Sequence, residues 1–322
     1  MTPATPIVYP LNAPGLYRGV PADIYHGILT DTPSLSSSGA VTILEDCPAK
    51  FWWNGPLNPA FIREEAQTFD IGTAAHLALL EPARWAEAVV VVDADDFRTK
   101  AAREARDAAY AEGKLPLLPK NVDDIRAMGN AARRHPEVAK VLAGAMFEVT
   151  LIWKDAATGV WLKCRPDILA HGGGILHDYK TCTNSRPLAF ARHANEMSYH
   201  MRAAWYLDAV EAVTGERPDG YAFIAQEKTP PYLVSVLDLD EADIGYGRMM
   251  NRRAIDLFAR CLETGQWPGR GGGRKTISLP GYARVQLEER RMNGEFGRLP
   301  KRDRSEKTPA DLLRLSDISQ AP

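Results

Sequence analysis

The stretch RPDILAHGGGILHDYKT, residues 165 to 181, places two aspartates and a lysine on either side of a glycine run. Apolar and polar residues alternate on both sides of the glycines, which predicts two strands joined by a tight turn. Side chains two residues apart share one face of a strand, so Asp178 and Lys180 project together. The hairpin places Asp167 beside them, and two carboxylates and an amine can converge on one point.

Two carboxylates a few ångströms apart repel each other unless a cation lies between them. Oxygen ligands favour Mg²⁺ or Mn²⁺, and a neighbouring lysine can orient or deprotonate a water molecule and offset charge on a phosphoryl group. A purely structural role is the alternative: Asp167 would cap a bend after Pro166, and Asp178 and Lys180 would form an ordinary ion pair. The spacing alone leaves both interpretations open, because short motifs often occur by chance.

Composition limits the classes of protein that need to be considered. The chain has 322 residues, of which 45% are hydrophobic, and this is typical of a globular protein. A formal net charge of −2 gives no argument for nucleic-acid binding from overall basicity, so any such contact must be local. There is no signal-peptide pattern, and no apolar run approaches the roughly 20 residues of a membrane span. We therefore expect a cytoplasmic protein without a membrane partner.

The four cysteines, Cys47, Cys164, Cys182 and Cys261, lie far apart in the sequence and form no CxxC pair. This spacing predicts buried free thiols rather than a disulfide framework or a zinc site.

Hydrophobic periodicity predicts an α/β fold with a mixed central sheet of about five strands flanked by helices. Strands are expected at residues 147–153, 160–170 and 175–181 in an antiparallel arrangement, with two more within residues 221–240. A charged, alanine-rich stretch near residues 99–144 predicts a helical insert with a solvated surface.

The segment RPD…HDYKT resembles the signature of the PD-(D/E)XK nucleases. Further segments resemble one branch of that superfamily, the RecE-like exodeoxyribonuclease VIII group, which is related to lambda exonuclease and to RecB-type nucleases. These segments occur in the family order: YHGILTDTPSLSSSGAVTILEDCPAKFWW, FDIGTAAHLALLEP, FEVTLIWKDAATGVWLKCRPDIL and SYHMRAAWYLDAV. The ordered set covers roughly residues 25 to 270 and is more specific than any single match.

The resemblance implies a role for each matching residue. His76 matches an active-site histidine, Asp167 and Asp178 match metal-binding carboxylates, and Lys180 matches the catalytic lysine. Glu148 lies where related enzymes place another acidic residue, and the implied cofactor is Mg²⁺ or Mn²⁺. Without the resemblance, His76 on an apolar helix would more often be a hydrogen-bonded core residue.

One position departs from the family pattern. Family members commonly have glutamine four residues before a tyrosine on the helix after the lysine strand, and here the pair is Arg202 and Tyr206. Arginine cannot accept a hydrogen bond, yet its guanidinium suits a phosphate better. With Arg192 and His200, these residues are candidates for contacts with the DNA backbone, although ordinary surface charge is the alternative for such groups.

The resemblance implies a divalent-metal-dependent DNA exonuclease. Its expected substrate is linear double-stranded DNA, degraded from 5′ ends to leave 3′ single strands for a single-strand annealing protein in recombination. A ring-shaped homo-oligomer is also implied. Two alternatives remain: an endonuclease or single-strand-specific enzyme on the same fold, and a catalytically degenerate DNA-binding or recombination scaffold. The iron–sulfur branch is disfavoured, since only Cys261 lies where that branch carries clustered cysteines.

Three segments are expected along the chain. Residues 1–33 are rich in proline, glycine and threonine and predict an irregular N-terminal segment with a short helical turn. Residues 34–270 would form the PD-(D/E)XK nuclease domain. Residues 271–322 are charged and poor in apolar side chains, which predicts a mobile tail with at most a short helix near residues 309–315.

Overall fold

The computed structural model describes residues 7–62, 71–170 and 174–297, and strands in this part of the chain form three sheets. The strands are Gly15–Tyr17 (β1), Ser34–Ser36 (β2), Val89–Val91 (β3), Leu115–Leu117 (β4), Met146–Phe147 (β5), Thr150–Lys154 (β6), Trp161–Cys164 (β7), Ile168–Leu169 (β8), Leu176–Cys182 (β9), Tyr221–Glu227 (β10) and Val234–Asp238 (β11).

The α-helices in the same residues are Ala22–His26 (α1), Ser37–Val41 (α2), Pro48–Trp53 (α3), Ile71–Leu80 (α4), Trp85–Ala88 (α5), Lys100–Ala111 (α6), Pro119–Arg134 (α7), Pro136–Leu142 (α8), Pro187–Glu196 (α9), Tyr199–Thr214 (α10), Glu241–Thr264 (α11) and Gly281–Met292 (α12). A π-helical turn, Thr42–Asp46, joins α2 to α3, and a 3₁₀ turn, Pro82–Arg84, joins α4 to α5.

The largest sheet is mixed and has the strand order β11-β10-β9-β8-β5. β9 and β10 run parallel, whereas the other neighbours are antiparallel. Parallel neighbours need a crossover connection, which α9 and α10 supply. A second sheet has the order β1-β6-β7-β2, and β3 pairs with β4 in a third. The predicted α/β class with a mixed sheet flanked by helices is confirmed.

The predicted mixed sheet of about five strands is present, but the prediction that segments 147–153 and 160–170 are each one continuous strand is wrong. The segment 147–153 divides into β5 and β6, and the segment 160–170 divides into β7 and β8. Pro166 has no N–H group with which to continue a ladder, and Glu148 has a positive φ of 52°. The antiparallel pair formed by segments 147–153 and 160–170 is therefore shared between two sheets. β6 and β7 belong to the four-stranded sheet, and β5 and β8 belong to the five-stranded sheet.

The main core lies where α10 and α11 pack against the two larger sheets. α10 is apolar on nearly all sides and contributes Trp205, whose indole N–H donates to the carbonyl of Lys163 at 3.0 Å. The Trp205 ring meets Trp153 edge to face, with 5.8 Å between ring centroids. This contact ties α10 to the strands β6 and β7 beneath it.

The four cysteines are free thiols. Cys164, Cys182 and Cys261 are buried, which confirms the prediction of buried thiols for these three. Cys47 is only half-buried, because it lies in the short connection between the π-helical turn and α3.

The predicted helical insert near residues 99–144 contains α6, α7 and α8, together with the short strand β4. Within the N-terminal segment 1–33, expected to be irregular, β1 pairs with β6 and α1 forms the predicted helical turn. In the described part of the chain, no helix is long and apolar enough to cross a membrane.

The chain divides into two units, Met1–Gly271 and Gly272–Pro322. The second unit contains α12, a helix that was not predicted in the segment 271–322, and none of its residues is buried. The short helix predicted near residues 309–315 lies outside the described residues.

The packing of α11 against the start of α10 can be tested at Gly247. A Cβ atom at this position would lie 2.2 Å from the carbonyl oxygen of His200, which is closer than real contacts allow. We expect Gly247→Ala to lower the free energy of unfolding in urea by about 1–3 kcal/mol, as overpacked cores do. Gly245→Ala is the matched control on the same helix, because a Cβ there meets nothing within 4 Å. It should raise the free energy of unfolding by up to about 1 kcal/mol through helix propensity, and equal effects of the two substitutions would contradict the packing.

Candidate metal centre

The candidate residues meet where the interrupted strand pair passes from one sheet to the other. The register of this pair is the same on both sides of the break, with Leu151 opposite Cys164 and Met146 opposite Leu169. Glu148 therefore lies opposite Asp167, and its N–H donates to the Asp167 carbonyl at 3.3 Å. Glu148, which lies where the resemblance implied a further acidic residue, is thus a direct neighbour of Asp167.

On its other side, Asp167 lies opposite Asp178 of β9. β8 pairs with β9 through Ile168 and His177, and one step further along the two strands brings Asp167 opposite Asp178. Three carboxylates therefore form a row across neighbouring strands, with Asp167 in the middle. Like charges in cross-strand positions repel, so this row needs positive charge close by.

His76 and Lys180 supply that positive charge from two sides. His76, on α4, has its Nε2 atom 3.1 Å from Oδ2 of Asp167 and 3.5 Å from Oε1 of Glu148. Lys180, on β9, has its Nζ atom 2.5 Å from Oδ2 of Asp178 and 3.3 Å from Oδ2 of Asp167. The five side chains selected from the sequence as metal ligands and catalytic groups are thus brought together.

Within this group, His76, Glu148 and Asp167 form the cluster suited to a metal ion. One ligand atom from each residue lies within 4.8 Å of the corresponding atoms of the other two. Asp178 is outside that cluster; it is 1% exposed and lies against the Lys180 ammonium. The structure therefore places Asp178 at the site as the partner of Lys180 and does not place it among the three clustered ligands.

The pKa values of the three acids differ because their surroundings differ. Burial opposes ionisation of Asp167, but the charges of Lys180 and His76 outweigh it and hold the Asp167 pKa well below its ordinary value. Burial and the nearby charge of Asp167 raise the pKa of Asp178. Burial raises the pKa of Glu148 to about 7, with Asp167 adding to the rise and His76 opposing it.

The same acids raise the pKa values of the two basic groups, His76 and Lys180. Burial alone would lower the pKa of both His76 and Lys180. Asp167 and Glu148 outweigh burial at His76, and Asp167 and Asp178 outweigh it at Lys180, so both pKa values are raised. Lys180 therefore carries its proton at neutral pH in this arrangement.

A buried carboxylate oxygen tests whether the three clustered residues fit a metal ion. Oε1 of Glu148 is buried without a hydrogen-bond partner, and its neighbour, Nε2 of His76, is 3.5 Å away. An unpaired buried oxygen of this kind costs free energy, and a divalent cation relieves that cost for a ligand oxygen. With one imidazole nitrogen and two carboxylates in the cluster, the donor set fits Mg²⁺ or Mn²⁺.

The backbone of β9 fixes the central aspartate. The N–H of Tyr179 donates to Oδ2 of Asp167 at 3.0 Å, and the Tyr179 hydroxyl donates to Oε1 of the buried Gln226 at 2.6 Å. The Gln226 amide in turn donates to the carbonyl of Met128 at 2.9 Å. Sequence reasoning missed Tyr179 and Gln226; the available signal was a glutamine inside the apolar strand sequence YAFIAQE.

Arg202 and Tyr206 lie next to the acid row on α10. The Arg202 guanidinium is 5.3 Å from the centre of the Tyr199 ring, and Lys180 Nζ is 5.8 Å from the same ring. Burial would lower the pKa of Arg202, but the neighbouring Tyr206 and Asp178 raise it. Tyr206 is 9% exposed, which leaves little of its side chain for a contact with DNA.

The two other DNA-binding candidates are placed differently. Arg192 is exposed on α9, and Nε2 of His200 lies 3.3 Å from the sulfur of Met250 on α11. Neither of them takes part in the ion pairs of the acid row described above. Their roles in binding DNA stay predictions.

Known proteins resemble this chain in sequence family and in fold. Residues 36–279 match the model of a family described as "PDDEXK-like domain of unknown function (DUF3799)". No curated protein matches the sequence significantly. The crystal structure of a proposed exonuclease from Eubacterium rectale is similar in fold, with a TM-score of 0.52 and 14% identity over 76% of this chain and 91% of that chain.

An alkaline exonuclease from Laribacter hongkongensis also aligns, at 12% identity over 52% of this chain and 86% of that chain. Its TM-score of 0.25 is too low to support an argument. The family match spans most of the described fold and includes Glu148, Asp167, Asp178 and Lys180. This chain therefore belongs to the family of PDDEXK-like domains.

Proposed function

We propose that this protein is a divalent-metal-dependent DNA exonuclease. The observation that carries the proposal is the convergence of His76, Glu148 and Asp167 with the Asp178–Lys180 ion pair at one point of a PDDEXK-like domain. These are the ligand types and the positive charge that metal-assisted phosphodiester hydrolysis requires.

Each residue has a task in this reaction. A divalent cation held by His76, Glu148 and Asp167 would polarise a phosphoryl oxygen and lower the pKa of a water molecule. Lys180 is held in its protonated form by the aspartates, so it orients the attacking water and offsets negative charge that develops on the phosphate. Asp178 keeps the Lys180 ammonium in place at 2.5 Å.

We further propose that the substrate is linear double-stranded DNA, degraded from 5′ ends to leave 3′ single strands. The support is the ordered resemblance of residues 25 to 270 to RecE-like exonucleases. The same resemblance supports a ring-shaped homo-oligomer and a single-strand annealing protein as partner in recombination.

The first test is nucleotide release from linear duplex DNA with 5′-phosphate ends, in Mg²⁺, in Mn²⁺ and in EDTA. Release should require the metal, and Lys180→Ala should reduce its rate by at least about 100-fold, as loss of a stabilising positive group does. Lys140→Ala is the matched control, since that lysine forms an exposed pair with Glu137. It should retain the wild-type rate.

Covalently closed circular DNA distinguishes the proposal from its alternatives. Exonuclease activity leaves the circle intact because it has no ends. Cutting of the circle would instead show an endonuclease, and absence of release in any metal would leave a DNA-binding scaffold. Both outcomes contradict the proposed exonuclease.

Arg202 is proposed to bind a phosphate near the acid row. We expect Arg202→Gln to raise KM several-fold and to reduce the slope of log Kd against log salt concentration by about 1, as loss of one phosphate contact does. Arg217→Gln, which changes an exposed arginine paired with Glu241 after the end of α10, should change neither quantity. An unchanged salt slope in Arg202→Gln would show that glutamine and arginine are equivalent at this position.

Proton competition gives an independent test of the metal ligands. The raised pKa values of Glu148, about 7, and of His76 mean that protons occupy these groups as the pH falls. Because a metal ion binds the deprotonated forms, its affinity should rise with pH, by about tenfold from pH 6 to pH 8 for one group of pKa near 7. Calorimetric titration of the protein with Mn²⁺ measures this dependence. In Glu148→Gln the affinity should be lower and its pH dependence weaker, and an unchanged pH dependence would exclude Glu148 as a ligand.

A further inference from the structure

Gln226 is a fully buried polar side chain that the proposed reaction does not use. It lies on β10 with 0% of its surface exposed, and the three residues to which it is hydrogen-bonded belong to one cluster of buried side chains. Burial of an amide costs free energy unless its polar atoms find partners. An apolar side chain of the same shape would fill this space without that cost, so the amide indicates a further role.

The three hydrogen bonds of Gln226 match the chemistry of an amide. The Tyr179 hydroxyl donates to Oε1 at 2.6 Å. Nε2 donates to the carbonyl of Met128 at 2.9 Å and to the carbonyl of Tyr232 at 3.3 Å. An amide has an acceptor oxygen and two N–H donors, so it serves both kinds of partner at once. Glutamate lacks the two donors, and methionine, which has a similar shape, lacks them too and offers only a weak acceptor.

Through Tyr179, this amide reaches the first of two metal ligands. Tyr179 lies on β9 between Asp178 and Lys180, and alternation along the strand directs its side chain to the opposite face of the sheet. The N–H of Tyr179 donates to Oδ2 of Asp167 at 3.0 Å. Because the bond to Gln226 restricts the Tyr179 side chain and the peptide that carries this N–H, it also restricts the Asp167 carboxylate.

The same amide reaches the second ligand, His76, by two routes. The ring centroids of Tyr179 and His76 are 6.1 Å apart, so the two side chains lie against each other. Met128 lies on α7, and α7 packs against α4, the helix that carries His76. The bond from Gln226 to the Met128 carbonyl therefore connects α7, and with it α4, to β10.

We propose that Gln226 is a positioning residue for the metal centre and that it sets the spacing of Asp167 and His76 from the face of the sheet opposite Lys180. The proposal rests on the proposed metal-dependent function and deepens it, because it gives the helical insert a role at the site through α7. Hydrogen-bond partners behind the ligands control ligand geometry in metal sites, and their loss typically weakens metal binding by about 10–100-fold. Gln226 acts through Tyr179 and α7.

Calorimetric titration with Mn²⁺ in the absence of DNA tests this role independently of cleavage. Gln226→Met should lower the Mn²⁺ affinity by at least about tenfold, the lower end of what such partners contribute. Asn251→Leu is the matched control, because Asn251 is a buried amide of α11 that donates to the Met201 carbonyl at 2.8 Å. Both variants should unfold at a lower temperature than the wild type, but Asn251→Leu should bind Mn²⁺ within about twofold of the wild type.

Tyr179→Phe is the second variant, and it removes one hydroxyl while it keeps the ring beside His76. It should lower the Mn²⁺ affinity by at least about threefold. Tyr17→Phe removes a hydroxyl that donates to the Ala13 carbonyl at 2.7 Å, and it should leave the Mn²⁺ affinity unchanged.

The double variant shows whether Tyr179 and Gln226 act together. Because both act through one hydrogen bond, Tyr179→Phe combined with Gln226→Met should bind Mn²⁺ within about twofold of Gln226→Met alone. If the two losses multiply instead, the substitutions have independent structural effects and the proposed coupling is wrong.

The outcomes separate this proposal from the proposed function. If both single variants bind Mn²⁺ like the wild type while the wild type releases nucleotides, the role of Gln226 is wrong and the nuclease function stands. If both lose Mn²⁺ affinity but the wild type releases no nucleotides, the positioning role stands and the nuclease function is wrong. A wild type that binds no Mn²⁺ overturns both. If Gln226→Met does not fold, Tyr179→Phe decides alone, and unchanged Mn²⁺ affinity in that variant overturns the proposal.

Discussion

Repulsion among three carboxylates is the constraint on which the rest of the site depends. Glu148, Asp167 and Asp178 lie in a row across neighbouring strands, and burial makes their negative charges costly. Lys180 and His76 offset this cost, and their attraction lowers the pKa of Asp167 while burial raises those of the outer acids. A fold selected for stability alone would replace such a row with apolar side chains, so its presence argues for a bound cation and for catalysis.

The break in the strand pair lies at the level of this row. A positive φ at Glu148 costs about 1–3 kcal/mol for a residue other than glycine, and such strain persists only where surrounding contacts impose it. Pro166, which has no N–H group, interrupts the opposite strand at the same level. The Glu148 N–H still donates to the Asp167 carbonyl, and the Asp167 carboxylate accepts from the Tyr179 N–H and the Lys180 ammonium of β9. At this level the Asp167 carboxylate contacts the imidazole of His76, which comes from α4, and the ammonium group of Lys180.

Sequence patterns predicted the part of the site that local geometry determines. Alternation and a short glycine turn specify which residues face each other, so the sequence alone is enough to place Asp167, Asp178 and Lys180 together. His76 required the family resemblance, because an apolar helix gives no indication of what its one histidine contacts. The strain at Glu148 and the link from Tyr179 to Gln226 depend on tertiary contacts. Helix α12 was missed for a different reason: alanine, glutamate and arginine favour helix locally even where no apolar face is buried.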